Sequence, residues 1–282
     1  MIGIDLSGRN ALVCGAGGGG LGSAVSRALA EAGAGLIAVD QSEALVEETR
    51  SDAAGWGVRC DTIVANLMDS VEATGIVGTA IAKAGRIDIV VNVAGGTRLH
   101  QWSPIEETSA ETFRDVMALN LDYVFRVCAD AARHMIGAKS PGSIINFTSI
   151  SGLRSAPFHG PYGMAKRGVM AMTETMAIEW ARYGIRVNTV APGGVASPRA
   201  PKAYGGERSE SDVALADGLR MMKPAEIGSV VAFLASDLAS GISGQTIVVD
   251  SGISAKNPAS ALSDYIKLMD SARSAADAGG TA

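Results

Sequence analysis

Short runs of consecutive apolar residues, each followed by a longer helical pattern, recur along almost the whole chain. Ala11–Cys14, Leu36–Asp40, Cys60–Ala65, Ile87–Asn92, Ser143–Phe147, Ile185–Val190 and Thr246–Val249 read as strands. Leu21–Ala32, Ser42–Ala54, Asp69–Ala84, Ser109–Met117, Leu121–Ile136, Pro161–Tyr183 and Pro224–Ser236 read as helices, the second with Ser42 as its N-cap. Continuous β-branched runs are what strands covered on both faces require. Strands that alternate with helices cross over right-handedly into a parallel sheet. The expected class is therefore α/β, a doubly wound parallel sheet of about seven strands with helices on both faces. No shift in composition marks a second domain, so residues 1–252 are read as one unit. The segment 194–223, with Pro198, Pro201, Gly205 and Gly206, interrupts the alternation and reads as a lid. Residues 253–282 form a C-terminal extension, with a short helix expected over Ala261–Met269 and an Ala/Ser/Gly-rich, flexible end.

The first strand runs into Cys14-Gly15-Ala16-Gly17-Gly18-Gly19-Gly20-Leu21-Gly22. Glycine lets a backbone turn sharply and lie close to a ligand, and the helix beyond offers free N–H groups to a pyrophosphate. A glycine string alone is a weak signal. Between a strand and a helix it predicts a Rossmann-type dinucleotide site. Asp40 closes the second strand 18 residues after Gly22. A carboxylate there accepts from a ribose diol and repels a 2′-phosphate. Gln41 follows in place of a basic residue, and the glycine loop holds none. The expected cofactor is NAD(H) rather than NADP(H); the competing reading has Asp40 merely capping the next helix.

Tyr162 and Lys166 stand four apart, on one face of a helix. An ammonium beside a phenol favours the phenolate and lowers its pKa. A Tyr so tuned exchanges a proton with an alcohol or ketone near neutral pH. In isolation the pair more often marks a surface Tyr on an amphipathic helix; the glycine loop and Asp40 reverse that preference.

The bulk numbers exclude other classes. The 282 residues carry a net charge of −5, which does not favour a nucleic-acid partner. Cys14, Cys60 and Cys128 form no C-x-x-C pair, so neither a zinc nor a redox site is expected, and reduced packing thiols suit a cytoplasmic location. The start of the sequence has no basic region followed by a long apolar one, so no signal peptide is expected. No apolar run suggests a membrane-spanning helix.

Taken together, these residues resemble the short-chain dehydrogenase/reductase family in its shorter, single-domain branch, over roughly Leu6 to Gly252. Asn92-Val93-Ala94-Gly95 is similar to the family's N-N-A-G segment, with Val93 replacing an Asn. Asn120 in Met117-Ala118-Leu119-Asn120 matches the family's active-site Asn. Ser149 lies 13 residues before Tyr162, the usual spacing. Arg186-Val187-Asn188 and Pro192-Gly193-Gly194-Val195 resemble the segment near the nicotinamide, Ser197 falls where a Thr commonly binds the carboxamide, and Gly244-Gln245 through Asp250-Ser251-Gly252 resembles the closing stretch.

The resemblance implies strand order 3-2-1-4-5-6-7 and a catalytic set of Asn120, Ser149, Tyr162 and Lys166. Tyr162 would pass the proton, Lys166 would lower its pKa and bind the nicotinamide ribose, Ser149 would hold the substrate oxygen, and Asn120 would position a relay water. The implied cofactor contacts are Gly15, Gly19, Gly20, Leu21, Gly22, Asp40, Asn66, Leu67, Asn92, Ala94, Gly95, Tyr162, Lys166, Pro192, Gly193, Val195 and Ser197. The glycine loop is one residue longer than the family pattern, Cys14 stands where Thr is common, and Asn66 replaces an Asp near the adenine. The resemblance also implies a homotetramer, or a homodimer, with the Leu121–Ile136 and Pro161–Tyr183 helices packing across a two-fold axis.

The expected reaction interconverts a secondary alcohol and a ketone. Arg98, Trp102, Arg154, Phe158 and His159 are candidate substrate contacts. Arg98 and Arg154 suit an anion, against the plainer reading of solvated loop residues. Trp102, Phe158, Met221 and Met222 suit a partly apolar ligand, such as a cyclic, terpenoid, steroidal or acyl secondary alcohol. Two alternatives stand beside this reading. A 3-oxoacyl-thioester reductase would normally use NADPH and a basic residue near Asp40. An NAD-binding regulatory protein on the same fold would tend to lose the Tyr or the Lys.

Overall fold

The computed structural model describes residues 3–197 and 220–255. Its centre is a sheet of seven parallel strands in the order β3-β2-β1-β4-β5-β6-β7. The strands are β1 (Asn10–Cys14), β2 (Gly35–Asp40), β3 (Cys60–Val64), β4 (Ile89–Asn92), β5 (Gly142–Phe147), β6 (Ile185–Pro192) and β7 (Thr246–Val249). The helices are α1 (Leu21–Glu31), α2 (Glu43–Trp56), α3 (Ser70–Ala84), α4 (Ala110–Met117), α5 (Tyr123–Gly137), α6 (Ile150–Leu153), α7 (Gly160–Trp180) and α8 (Pro224–Ala235).

Successive residues of a strand point to opposite faces, and this divides each apolar run between two cores. Leu12, Cys14, Ile37, Val39, Val90, Ile144 and Val187 join residues of α3, α5 and α7 on one face. Ala11, Val13, Leu36, Ala38, Ile89, Val91, Ile145 and Val190 join α1 and α8 on the other. Small residues draw α1 and α8 together: a Cβ on Gly228 would lie 2.5 Å from the Ala24 carbonyl oxygen.

The parallel register brings the carboxyl ends of the central strands to one edge, with Cys14 beside both Val39 and Asn92, and Asn92 beside Asn146. The glycine loop, Asp40, the 93–97 turn and Ser149 all leave from that edge, where the strand order reverses between β1 and β4.

Several details differ from the sequence reading. Ser42 occupies the N-cap position of α2 but makes no capping hydrogen bond through its side chain. The chain preceding α5 contains a π-helical turn over Ala118–Asp122. β6 runs two residues further, to Pro192, and α6 is a four-residue helix that sequence periodicity did not predict. Met221 and Met222 are 6% and 5% exposed, and Met222 belongs to the α1/α8 core, so neither lies open over a substrate. Most of the expected lid and the Ala261–Met269 helix lie outside the described residues. The lid's two ends are joined: Ala196 N–H donates to the Met222 carbonyl and Met222 N–H to the Gly194 carbonyl.

Candidate active site

The glycine loop is held by contacts that only glycine permits. Gly15 has φ +86°, and a Cβ there would lie 2.7 Å from Ala94 N. A Cβ on Gly22 would lie 1.8 Å from the Gly15 carbonyl oxygen, so α1 packs against its own entry loop through a bare backbone. Gly18 and Gly19 both adopt positive φ. α1 starts at Leu21; its N-cap, Gly20, has no side chain to cap it, and its first turn holds no acidic residue, which suits an anion. Asp40 is more than a strand end: its carboxylate accepts from the backbone N–H groups of Gly17 (3.1 Å) and Gln41 (2.8 Å). It makes no capping bond to α2. The carboxylate keeps lone pairs for a further donor. Beyond β3, Asn66 Oδ1 accepts from Met68 N–H, and Glu72 accepts from Asn66 N–H. The open cradle, the uncapped helix end and the carboxylate beyond β2 fit a dinucleotide.

Asn92, expected among the cofactor contacts, turns its side chain into the protein. It is 1% exposed and donates to Asn146 (2.9 Å) and Cys128 (3.3 Å), while Asn146 donates to Thr173. This network ties β4 and β5 to α5 and α7 behind the site. The thiols of Cys14 and Cys128 are fully buried and pushed up by burial, Cys128 to about 12, so they pack rather than react. Arg186 and Asn188 lie near the amino end of β6, where they donate to carbonyls of Leu234, Ser236 and Ile242. They hold α8 and the turn before β7. Gly193 has a backbone role, since a Cβ would lie 2.7 Å from that of Asp250.

Around Gly95 the polar groups converge. A Cβ there would lie 2.8 Å from Asn120 Oδ1 and 2.9 Å from Lys166 Nζ. Asn120 is fully buried inside the π-helical turn. Its amide donates to the Gly96 and Val116 carbonyls, and its oxygen accepts from Gly96 N–H at 2.8 Å. The side chain thus holds the turn after β4, and π-helical turns of this kind recur at functional sites. Tyr123, which sequence reasoning did not single out, donates to the Ala94 carbonyl at 2.8 Å from a fully buried position.

Lys166 is 2% exposed, and its Nζ donates to the Phe147 carbonyl at 3.0 Å and lies 5.6 Å from the centre of the Tyr162 ring. Burial lowers its pKa to about 7. Its charge at neutral pH is therefore conditional, and a neighbouring phenolate or bound anion draws the proton back. Thr148 donates to the Lys166 carbonyl at 2.6 Å, fixing α7 against the end of β5. Ser149 caps α6, accepting from Ser151 N–H at 3.2 Å. That bond uses a lone pair and leaves the hydroxyl proton for another acceptor.

Beside Tyr162 stands an aromatic stack. The rings of Trp102 and His159 are 4.1 Å apart and 15° from parallel; those of His159 and Tyr162 are 6.1 Å apart. Trp102 Nε1 donates to Thr97 at 2.9 Å, and Ser103 N–H donates to the Phe158 carbonyl, so the two loops are joined. Phe158 adopts φ +65° with its side chain largely exposed, outside the stack. Arg98 is exposed. Arg154 donates to the Ser254 carbonyl at 3.0 Å, a bond to the segment after β7 that uses one of its N–H groups. Ser197 is the last described residue of the lid's first end. Among the described residues no cluster of His, Cys, Asp and Glu could hold a metal, and no helix is long and apolar enough to cross a membrane.

The fold and this edge of the sheet define a dinucleotide-binding α/β protein. A profile described as Enoyl-(Acyl carrier protein) reductase matches residues 15–254. The chain is 35% identical over 256 residues to D-threitol dehydrogenase of Mycolicibacterium smegmatis, covering 89% of this chain and 95% of that one. It is 36% identical over 250 residues to the 3-oxoacyl-[acyl-carrier-protein] reductase FabG of Thermotoga maritima, covering 89% and 99%. The solved structure of a gluconate 5-dehydrogenase from Burkholderia cenocepacia J2315, in complex with NADP and tartrate, superimposes with a TM-score of 0.77 at 31% identity, covering 90% and 98%. The chain belongs to the short-chain dehydrogenase/reductase family and is an oxidoreductase.

Proposed function

We propose that this protein is an NAD(H)-dependent oxidoreductase that interconverts a secondary alcohol and a ketone, with Tyr162 as general acid and base. The observation that carries this reading is the buried Lys166, whose Nζ lies 5.6 Å from the centre of the Tyr162 ring and beside Gly95 together with Asn120 Oδ1. When bound, the nicotinamide cofactor supplies or accepts the hydride. Ser149 donates its remaining proton to the substrate oxygen and holds it toward Tyr162. Tyr162 gives that oxygen a proton in reduction and takes one in oxidation. Lys166 stabilises the phenolate and, through its ammonium, the ribose of the cofactor. Asn120 keeps the Gly95–Gly96 turn in place and supports the proton path past Lys166. The relatives named as dehydrogenases of polyols and sugar acids support an alcohol substrate. Screening NAD+ reduction over diverse secondary alcohols tests the reading: Tyr162→Phe is expected to lower turnover about 10³-fold while NAD+ still binds.

NAD(H) is assigned over NADP(H) because a carboxylate at the end of β2 accepts from a ribose diol and repels a 2′-phosphate, and the hydrogen bonds of Asp40 to Gly17 and Gln41 N–H support that reading. A tenfold kinetic preference for NADP(H) would contradict the assignment. The second reading, a 3-oxoacyl-thioester reductase, is favoured by the similarity to FabG; NADPH-dependent reduction of an acetoacetyl thioester would select it. We also propose a homotetramer, or a homodimer, assembled through α5 and α7. Phe125 and Ile178, 53% and 81% exposed on those helices, support it. A monomeric mass by light scattering would refute it.

A further inference from the structure

We propose that Thr148 is a positioning residue for the proton transfer: its hydroxyl anchors α7 at Lys166, sets how closely the ammonium approaches Tyr162, and so sets the acidity of the phenol. The inference rests on Tyr162 as the group that exchanges the proton.

Lys166 is held at both its ends by consecutive residues of one strand end. Its Nζ donates to the Phe147 carbonyl at 3.0 Å, and its backbone carbonyl accepts from the Thr148 hydroxyl at 2.6 Å. Ser149 follows directly. Successive residues at the end of β5 thus hold the ammonium, hold the helix and carry the hydroxyl assigned to the substrate oxygen. Thr148 is 3% exposed, and its own N–H donates to the Val190 carbonyl of β6 at 2.9 Å, so the sheet fixes where it stands.

The helix does not need this bond. A carbonyl inside an α-helix already accepts from the N–H four residues further on, so the Thr148 hydroxyl is a second donor to an oxygen that α7 satisfies alone. What it adds is a fixed height and rotation of α7 against the sheet. α6 closes over the bond: a Cβ on Gly152 would lie 2.9 Å from the Lys166 carbonyl carbon and 3.0 Å from Thr148 Oγ1. With backbone and tip both fixed, the Lys166 side chain spans a set gap, and Nζ stands 5.6 Å from the Tyr162 ring centre. Away from water, the pull of an ammonium on a phenolate changes steeply with distance. A loosened helix weakens that pull, and the phenol becomes less acidic. A second bond joins the same strand to the same helix: Asn146 donates to Thr173 at 3.1 Å, about two turns beyond Lys166. It offers a way to separate packing of α7 from positioning of Lys166.

Tyrosine isotope-labelled at its phenol carbon reports the Tyr162 phenol by NMR titration of the ligand-free protein, the resonance assigned by its loss in Tyr162→Phe. Thr148→Ala is expected to raise the midpoint by about one pH unit, and Thr148→Ser, which keeps the hydroxyl, to stay within ~0.3 of wild type. Thr148→Val is the second deletion, to be read if the alanine variant does not fold. Thr173→Ala is expected to lower the unfolding temperature as Thr148→Ala does, yet leave the midpoint in place. With NAD+ and an alcohol active with wild type, the acid limb of kcat/KM is expected to move upward with the midpoint in Thr148→Ala, because the phenolate is the base in oxidation. A midpoint that the loss of the hydroxyl leaves unmoved overturns the inference, as does an equal shift in Thr148→Ser or Thr173→Ala. The titration needs no substrate, so its failure is distinct from that of the catalytic reading, which undiminished turnover in Tyr162→Phe would refute.

Discussion

The dinucleotide cradle and the wall beside Tyr162 share one edge of the sheet but are built from different materials. The cradle is backbone: at Gly15, Gly17, Gly22 and Gly95 other protein atoms lie too close for a Cβ, and Asp40 fastens the loop through the Gly17 N–H. The wall is side chain: Trp102 on His159, His159 beside Tyr162, with two loops joined by one backbone bond. A backbone cradle tolerates little change in shape and suits a ligand whose form never varies. A wall of packed rings can be rebuilt by single substitutions, which suits a substrate that differs from one relative to the next.

The most severe break in the cradle is Gly22→Ala. Its Cβ would fall 1.8 Å from the Gly15 carbonyl, so the loop must move. Dinucleotide affinity, measured by calorimetry, is expected to fall at least about 100-fold, with a stability loss of several kcal/mol. Trp102→Ala is expected to leave that affinity within about threefold, since it touches only the wall. An equal loss in both variants would erase the distinction.

Lys166 lies where the two regions meet, and pH reads it out. Its ordinary pKa is 10.5 and its buried value about 7. Between those values the unfolded chain holds one more proton than the folded chain, so stability rises with pH. From pH 7 to 9 wild type is expected to gain about 2 kcal/mol relative to Lys166→Met, measured by urea unfolding of the ligand-free protein. Above pH 9 the buried thiols act the other way. Cys60 and Cys128, raised to about 11 and 12, keep protons that the unfolded chain loses, so stability falls.

Smaller effects sharpen the comparison. Asp40→Asn removes the charge while keeping an acceptor for Gly17, and is expected to shift the NAD+ to NADP+ preference by about tenfold, or ~1.4 kcal/mol. Tyr123→Phe strips the Ala94 carbonyl of its buried donor and is expected to cost about 1 kcal/mol in thermal unfolding.

The difference in materials also explains what the sequence made legible. The apolar runs marked all seven strands, because burial on both faces leaves no other composition. The glycine loop was readable because a missing Cβ is itself written in the sequence. The direction of the Asn92 side chain was not legible, because its motif does not say which face of β4 the side chain takes; it takes the one facing Cys128 and Asn146. The bond of Arg154 to the Ser254 carbonyl was not legible, because it spans 100 residues. The stack of Trp102 on His159 was invisible for the same reason: it depends on two loops that meet only in the fold.

The central claim is that Tyr162, beside a buried Lys166, moves the proton while a bound nicotinamide dinucleotide moves the hydride. Its most direct test is NAD+ reduction by an alcohol found active with wild type, set against Tyr162→Phe with NAD+ binding measured in parallel. The account predicts turnover lowered about 10³-fold in the variant while NAD+ still binds. Undiminished turnover in Tyr162→Phe would contradict it.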